Sequence, residues 1–259
     1  MRRIAVKVGS NVLTRADGTL DFTRMSALTD QIAELCKGGI QVILVSSGAV
    51  ASGRSEVKID RDLDPVSSRQ LFSSVGQTKL MNRYYELFGL HGMVCGQVLT
   101  TKDSLVREEQ YCNQRNCMEV MLECGVVPIV NENDTISITE LMFTDNDELS
   151  GLVATMMKVD MLVILSNIDG LYDGDPLSPE AKVIPQVLPD DDVSGFVRES
   201  RSTLGRGGMS TKCHIARSIA EKGIPVVIAN GKREDILLKV VAGDRSVPYT
   251  CFPAKTDRI

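Results

Sequence analysis

The sequence predicts an α/β protein in which helices cover a mostly parallel β-sheet. Short apolar runs alternate with longer amphipathic stretches along the whole chain. Most of the apolar runs have no polar face, which is typical of parallel strands buried on both sides. This alternation favours a layered fold with helical connections between the strands. The 259 residues are 43% hydrophobic and 24% charged, so the chain can bury a sizeable core.

Several apolar runs have the length of buried strands rather than helices. The predicted strands are Ile4–Val8, Val42–Ser46, Met93–Leu99, Val126–Val130, Met161–Ser166 and Pro225–Ala229. The stretch Thr23–Lys37 places Met25, Leu28 and Ile32 on one face of a helix, and Gly38 ends it. The other predicted helices are Val66–Leu90, Asp103–Glu123, Asp147–Lys158, Ser210–Lys222 and Arg233–Ala242.

Two segments and one glycine depart from this regular pattern. Residues 172–208 are rich in Asp, Pro, Ser and Gly, which predicts loops and short elements. The region after residue 247 is predicted to be a short tail. Gly76 weakens the long predicted helix in which it lies.

Charge and cysteine usage argue against several classes of protein. The net charge is −5 and the pI about 5.2, whereas nucleic-acid binders use a basic surplus to neutralise phosphates. The seven cysteines contain no C-x-x-C pair, and the two histidines, His91 and His214, are far apart. Neither a zinc site nor a disulfide framework is therefore predicted. No signal peptide is visible, and no apolar run approaches the ~18–20 residues of a membrane helix. We expect a cytoplasmic protein with no membrane or nucleic-acid partner.

Small and polar residues gather where the predicted strands end or a helix begins. The segments are Gly9–Asn11, Ser46–Gly53, Asn131–Asp134, Ser166–Gly170 and Gly205–Gly208. Because ligands of open parallel sheets bind beyond the carboxyl ends of the strands, these segments predict one site. Glycines let backbone N–H groups approach phosphate, although ordinary turns are their alternative explanation. The G-x-x-x-x-G-K-[ST] and G-x-G-x-x-G motifs are both absent, so any nucleotide site is of another kind.

Lys7 and Lys212 are the candidate phosphate-binding cations. Lys7 interrupts an apolar strand, where burial of an unpaired ammonium group is costly. Either its strand lies at an edge with Lys7 in solvent, or Lys7 reaches across the strand end towards a phosphate. Lys212 follows two glycines at a helix start and has the same candidate role. Its alternative is a solvated lysine on a helix surface.

Two clusters of acidic and amide residues are the other candidates, Asn131–Asp134 and Thr144–Asp147. Such residues often make turns and helix caps, and Asp145 or Asn146 is placed to cap the helix that begins near Asp147. The functional alternative is that they bind an amino group, or orient a lysine and a metal ion.

Six segments occur together in an order and spacing that are highly specific. They are Val6–Ser10, Ser46–Gly53, Val75–Gln77, Asn131–Asp134, Asp145–Asp147 and Gly207–Lys212. Together they resemble the glutamate 5-kinases of the amino-acid kinase family, over nearly the whole chain from about residue 2 to about residue 243. The resemblance implies a three-layer α/β/α sandwich with an eight-stranded, mostly parallel sheet. It also implies transfer of the γ-phosphoryl group of ATP to the side-chain carboxylate of L-glutamate. The product is L-glutamyl 5-phosphate, in the first step of proline biosynthesis.

The resemblance assigns roles to the candidate residues. It implies that Lys7 and Lys212 hold the phosphates and stabilise the transferred charge, while Asp147, with Asp145 nearby, organises the lysines. The implied glutamate-binding residues are Ser47, Gly48, Ala49, Asn131, Asp134 and Asn146. The implied ATP contacts, besides the two lysines, are Gly9, Ser166, Asn167, Arg206, Gly207, Gly208, Met209, Ser210 and Thr211. Mg²⁺ is implied as a cofactor, with no metal ligand assigned.

Three positions depart from the family pattern. Ser46 stands where Thr is common, Asn167 where Asp is common, and Arg206 where Thr is common. The last two leave the details of the ATP contacts open.

The expected organisation is a single amino-acid kinase domain, residues 1–259. Its acceptor-binding part is expected at about 1–158 and its nucleotide-binding part at about 159–259. Many relatives carry a C-terminal PUA domain of RNA-binding type, and we expect a short form without it. The resemblance further implies a homodimer or homotetramer, proline as a feedback inhibitor, and transient contact with the glutamyl phosphate reductase that uses the product.

Other functions remain as alternatives at this point. Kinases of aspartate, N-acetylglutamate, carbamate, uridylate and isopentenyl phosphate share the implied fold. Aspartate kinases begin with a Lys-Phe-Gly-Gly-Thr type segment where this chain has Lys7-Val8-Gly9-Ser10. Acceptors that already carry phosphate would require additional basic residues. A non-catalytic sensor of proline or glutamate is the alternative from a different class, and the presence of both lysines and Asp147 argues against it.

Overall fold

The computed structural model describes residues 1–137, 143, 145–193, 195 and 208–255, which include seven strands in one sheet. The strands are β1 (Arg3–Val8), β2 (Gln41–Ser46), β3 (Val94–Thr100), β4 (Val126–Glu132), β5 (Met161–Ser166), β6 (Val226–Asn230) and β7 (Thr250–Phe252). Their order is β3-β4-β2-β1-β5-β6-β7, and only β7 pairs antiparallel to its neighbour. The mostly parallel sheet is confirmed, with seven strands in the described residues where the resemblance implies eight.

Nine helices lie within the described residues. They are α1 (Ser10–Leu13), α2 (Phe22–Lys37), α3 (Ala49–Arg54), α4 (Pro65–Gly89), α5 (Lys102–Val106), α6 (Glu108–Glu123), α7 (Asn146–Met156), α8 (Met209–Glu221) and α9 (Ile236–Ala242). Side chains of α6, α7 and α8 share one apolar core, whereas those of α2, α4 and α9 share another. In β1, Ala5 faces the first core while Ile4 and Val6 face the second. The sheet is thus buried on both faces, which confirms the three-layer α/β/α sandwich.

Parallel pairing brings the site-forming loops to one edge of the sheet. Strand β1 pairs in parallel with β2 on one side and β5 on the other, with Val8 beside Ser46 and Leu165. Strand β4 pairs with the opposite side of β2. The loops that follow these four strands therefore leave the sheet at the same edge.

The structure differs from the predicted elements at two places. The predicted helix 103–123 is two helices, α5 and α6, because Arg107 between them has an extended backbone with φ −77° and ψ 118°. The predicted tail contains β7, so that prediction is wrong. The hydroxyl of Thr250 donates to the carbonyl of Ile184 and accepts from the N–H of Leu171. These bonds tie the end of the described chain into the edge of the sheet.

Gly76 allows α3 and α4 to pack with their backbones in contact. A Cβ atom at Gly76 would lie 1.8 Å from the carbonyl oxygen of Ala49, the first residue of α3. A Cβ atom at Gly53 would lie 1.9 Å from the carbonyl oxygen of Phe72. Overlap with backbone atoms requires one helix to move, so the weak helix propensity of Gly76 is offset by close packing.

We expect Gly76→Ala to lower the free energy of unfolding by about 3 kcal/mol, because the added methyl group forces α3 away from α4. Chemical denaturation followed by circular dichroism measures the change. Gly89→Ala on the same helix is the matched control, since nothing lies within 4 Å of its Cβ position. Equal denaturation midpoints for the two variants would show that the close contact does not constrain the fold.

Candidate active site

A cavity of about 970 Å³ lies where the loops after β1, β2, β4 and β5 meet the N-terminus of α8. This volume is at the upper end of the ~300–1,000 Å³ range of small-molecule sites. The predicted site residues that line it are Lys7, Gly9, Ser47, Gly48, Ala49, Asn131, Asp134, Asp145, Asn146, Asp147, Ser166, Asn167, Gly208, Met209 and Lys212. Ser210 and Thr211 do not line the cavity, and Arg206 and Gly207 lie outside the described residues.

Two lysines share one buried carboxylate at the centre of the cavity. The Nζ atom of Lys7 lies 2.6 Å from Oδ1 of Asp147, and the Nζ atom of Lys212 lies 3.0 Å from Oδ2. Lys7 is 5% exposed, Lys212 8% and Asp147 0%. Because β1 is a central strand, Lys7 is not an edge residue in solvent, and Lys212 is not a solvated surface lysine. The structure therefore excludes both alternative placements.

The charge of Asp147 is stabilised by its two partners. Burial alone would raise the pKa of this carboxyl, but the ammonium groups of Lys7 and Lys212 hold the pKa below its usual range. The site thus contains an ionised aspartate between two cations, with a net local charge of about +1 before the neighbouring Asp145 is considered.

Asp145 caps α7 and also faces the cavity. Its Oδ1 atom accepts from the N–H groups of Asp147 and Glu148 at 2.9 and 3.1 Å, which fixes the start of the helix. Its Oδ2 atom is buried and has no hydrogen-bond partner among the described residues. Burial and the nearby charge of Asp147 raise the pKa of Asp145. The predicted helix cap is confirmed, and one carboxylate oxygen remains for a ligand in the cavity.

Amide side chains link the loops at one end of the cavity. The Nδ2 group of Asn146 donates to Oγ of Ser47 and to Oδ1 of Asn131, both at 3.0 Å. The Nδ2 group of Asn131 donates to Oε1 of Gln77 at 3.0 Å. Between these loops, Gly48 has φ +107°, a conformation that glycine adopts without strain. These bonds hold residues from the loop after β2, from β4, from α4 and from α7 in one arrangement.

Arg69 is a site residue that the sequence did not reveal. It lies on α4, lines the cavity, and forms ion pairs with Glu132 and Asp134. A single arginine in a polar stretch of an amphipathic helix gives no sign that its side chain is partly buried against two carboxylates. Gln77 lies within one of the recognised segments, yet its contact with Asn131 depends on the tertiary packing of α4.

The opposite end of the cavity is formed by the loop after β5 and the start of α8. Ser166 and Asn167 line it, and the N–H of Gly9 donates to the carbonyl of Leu165 at 3.1 Å. Gly208 precedes α8, which spans 13 residues and carries Lys212 near its N-terminus. Unpaired N–H groups at a helix start favour anions. This end therefore combines backbone donors with the two lysines.

Two buried cysteines pack as apolar residues. Burial raises the pKa of Cys95 to about 11 and that of Cys213 to about 12, so neither thiol ionises near neutral pH.

In the described part of the chain, no helix has the length and apolar character to cross a bilayer.

Comparison with known proteins shows the family to which the sequence is similar. The family model described as amino acid kinase matches residues 2–230. A glutamate 5-kinase from Bacteroides thetaiotaomicron is 60% identical over 257 residues, covering 99% of this chain and 71% of that protein. A glutamate 5-kinase from Symbiobacterium thermophilum is 45% identical over 244 residues, covering 94% of this chain and 93% of that protein.

Solved structures share the fold. A carbamate kinase from Giardia lamblia bound to AMP-PNP matches with a TM-score of 0.70 and 14% identity, covering 98% of this chain and 99% of that one. At such low identity, the likeness supports the three-layer architecture alone.

Proposed function

The chain belongs to the amino acid kinase family and, within it, to the glutamate 5-kinases, and we propose that its cavity transfers the γ-phosphoryl group of ATP to the side-chain carboxylate of L-glutamate. The observation that carries this function is the buried Lys7–Asp147–Lys212 arrangement in the middle of the cavity. Phosphoryl transfer depends on positioning and on positive charge around the phosphoryl oxygens, and two lysines on one carboxylate provide both. The product is L-glutamyl 5-phosphate, which begins proline biosynthesis.

The proposed reaction needs no general base. A glutamate side chain has a reference pKa of about 4.3, so the acceptor is already ionised at neutral pH. Its carboxylate oxygen attacks the γ-phosphorus, and the bond from that phosphorus to the bridging oxygen of ADP breaks. Lys7 and Lys212 stabilise the charge on the transferred oxygens, while Asp147 keeps the two ammonium groups at a fixed spacing. None of the described residues that line the cavity is a histidine, in agreement with this scheme.

A magnesium ion fits the oxygen atoms of the site. The buried Oδ2 atom of Asp145 has no hydrogen-bond partner among the described residues. Mg²⁺ prefers oxygen ligands and is usually held by one or two carboxylates together with substrate phosphates. The described side chains contain no group of three or more metal ligands, which suits an ion shared with ATP. Asp145 would hold it, and the bound ion would neutralise phosphate charge.

We assign the two ends of the cavity to the two substrates. Glutamate occupies the end formed by Ser47, Gly48, Ala49, Asn131, Asp134 and Asn146, all within the acceptor-binding part at about 1–158. ATP occupies the end formed by Gly9, Ser166, Asn167, Gly208 and Met209, which belongs chiefly to the part at about 159–259. The linked amides of Asn131 and Asn146 support this assignment because they hold the polar groups around Ser47 in one fixed arrangement at that end. Proline inhibition, a homo-oligomer, the reductase contact and the cytoplasmic location stay predictions.

Asp134→Asn is expected to raise the KM for glutamate by about tenfold to a hundredfold, because it removes the charge that receives the substrate's ammonium group. The KM for ATP and the kcat should stay within about threefold, since the change is at the acceptor end. Steady-state kinetics with each substrate varied in turn gives the three values. An unchanged glutamate KM would remove Asp134 from the acceptor site.

The proposed function is tested by ADP release from Mg-ATP with L-glutamate, L-aspartate, N-acetylglutamate or UMP as acceptor. Hydroxylamine in the assay traps an acyl phosphate as a hydroxamate, and parallel reactions contain proline. We expect hydroxamate with glutamate only, and its loss on adding proline would establish feedback inhibition. Turnover with another acceptor would show that the chain is a kinase of the same fold with a different acceptor substrate. No turnover with any acceptor would favour a sensor of glutamate or proline instead.

A further inference from the structure

Arg69 joins two buried carboxylates at the acceptor end of the cavity. Its Nη2 atom lies 2.6 Å from Oε2 of Glu132 and also forms an ion pair with Oδ1 of Asp134. The exposed fractions of the three side chains are 15%, 4% and 8% respectively. One guanidinium group thus connects the proposed ammonium-binding carboxylate to a second carboxylate that has no role in the proposed reaction.

Glu132 extends this connection to the segment before α7. It is the last residue of β4, and its Oε1 atom accepts from the N–H of Phe143 at 3.1 Å. Phe143 is buried and lies two residues before Asp145, the cap of α7. Arg69 and Glu132 together therefore connect α4, the end of β4 and the approach to α7.

The charges explain why a guanidinium group suits this position. Without a cation, the carboxylates of Glu132 and Asp134 would repel each other and would repel a substrate that carries two carboxylates. An ammonium group would neutralise the charge, but a planar guanidinium group also fixes the orientation of the carboxylates that it contacts. Arg69 is therefore suited to set the direction of Asp134 as well as the charge around it.

We propose that Arg69 is a positioning residue for the acceptor: shared between Glu132 and Asp134, it holds the Asp134 carboxylate where it receives the ammonium group of L-glutamate. The inference rests on the proposed function, whose acceptor site it deepens. Both ion-pair partners of Arg69, Glu132 and Asp134, lie at the glutamate end of the cavity, whereas Lys7 and Lys212 pair with Asp147. Its loss therefore acts on the binding of glutamate rather than on the binding of ATP or on phosphoryl transfer.

The test is steady-state kinetics of Arg69→Met and Arg69→Lys beside the wild-type chain. We expect Arg69→Met to raise the KM for glutamate by about tenfold or more, with the KM for ATP and the kcat within about threefold. Arg69→Lys keeps the charge and should recover part of the loss. Arg83→Met on the same helix is the matched control, since Arg83 pairs with the exposed Glu86, and its kinetics should equal the wild type.

A double-mutant cycle shows whether Arg69 acts through Asp134. If it does, Arg69→Met combined with Asp134→Asn should raise the glutamate KM no further than Asp134→Asn alone. If the two single effects multiply, Arg69 acts on glutamate independently of Asp134, and the positioning role is overturned.

The outcomes separate this inference from the proposed function. A wild-type chain that turns over no glutamate would overturn the proposed function and the inference with it. An active wild type beside an unchanged glutamate KM in Arg69→Met would overturn the inference alone. If Arg69→Met loses its cooperative thermal transition, Arg69→Lys carries the test: a raised glutamate KM with unchanged kcat supports the role, and a wild-type KM overturns it.

Discussion

Lys7→Met is expected to lower kcat by about three to five orders of magnitude, which is the size of effect seen when a cation that stabilises transferred phosphoryl charge is lost. The methionine keeps the apolar stem that packs in the central strand β1 and removes only the ammonium group. Asp147 keeps its ion pair with Lys212, so the protein should stay folded. Single-turnover measurements with saturating ATP and glutamate would report the chemical step directly.

Lys79→Met is the matched control for this variant. Lys79 lies on α4 and forms an exposed ion pair with Glu56, so the same substitution there should leave kcat unchanged. A Lys7→Met variant with kcat within tenfold of the control would show that Lys7 does not stabilise the transferred group.

Asp147→Asn is expected to lower kcat by about a thousandfold and also to destabilise the protein by about 3 kcal/mol, because two ammonium groups are left in a buried site without their counter-charge. This combination distinguishes Asp147 from Lys7, whose loss should affect turnover far more than folding. Denaturant titration gives the free energy of unfolding, and kinetics on the folded variant gives kcat.

The pH dependence of stability gives a second measurement for Asp147. Its pKa is held below the usual range in the folded chain, so its contribution to stability is present above the unfolded pKa of about 3.9. That contribution is lost as the pH falls through the lower folded value. The acid decline in stability below about pH 4 should therefore be shallower in Asp147→Asn than in the wild type.

Asp30→Asn provides the corresponding control. Asp30 is exposed and contacts His91 at the protein surface. Its substitution should therefore leave kcat unchanged and should change the free energy of unfolding by no more than about 0.5 kcal/mol. If Asp147→Asn behaved like Asp30→Asn in both measurements, the buried carboxylate would have no role in holding the lysines.

The central site was predictable in part because Lys7 interrupts an apolar strand. Burial of an ammonium group without a partner is costly, so Lys7 either lay in solvent at an edge strand or reached a phosphate, and the family resemblance supplied Asp147 as the residue that organises the lysines. The parallel strand order then explains why residues as distant as Asp147 and Lys212 reach the same edge of the sheet. A cap at Asp145 or Asn146 also followed from their position before an apolar helix, and the structure shows that Asp145 is the cap.

Other features depend on tertiary packing and gave no local signal. Arg69 looks like a surface residue until α4 is packed over the end of β4, where Glu132 and Asp134 meet it. The strand β7 is only three residues long, and hydrogen bonds of Thr250 to a distant loop hold it against the sheet. Because these contacts are not local in sequence, the segment was predicted to be a tail. The break at Arg107 occurs where no glycine or proline marks the end of a helix.

The most direct test of carboxylate phosphorylation uses L-glutamate with ¹⁸O in both oxygens of its side-chain carboxylate. After incubation with Mg-ATP and hydroxylamine, the inorganic phosphate is analysed by ³¹P NMR or mass spectrometry. If the carboxylate attacks the γ-phosphorus, hydroxylamine displaces phosphate that carries one ¹⁸O atom, and the hydroxamate keeps the other. We predict singly labelled phosphate in amounts equal to the hydroxamate, with neither product in Lys7→Met. Unlabelled phosphate would mean that water, not glutamate, accepts the phosphoryl group, which would contradict the proposed reaction.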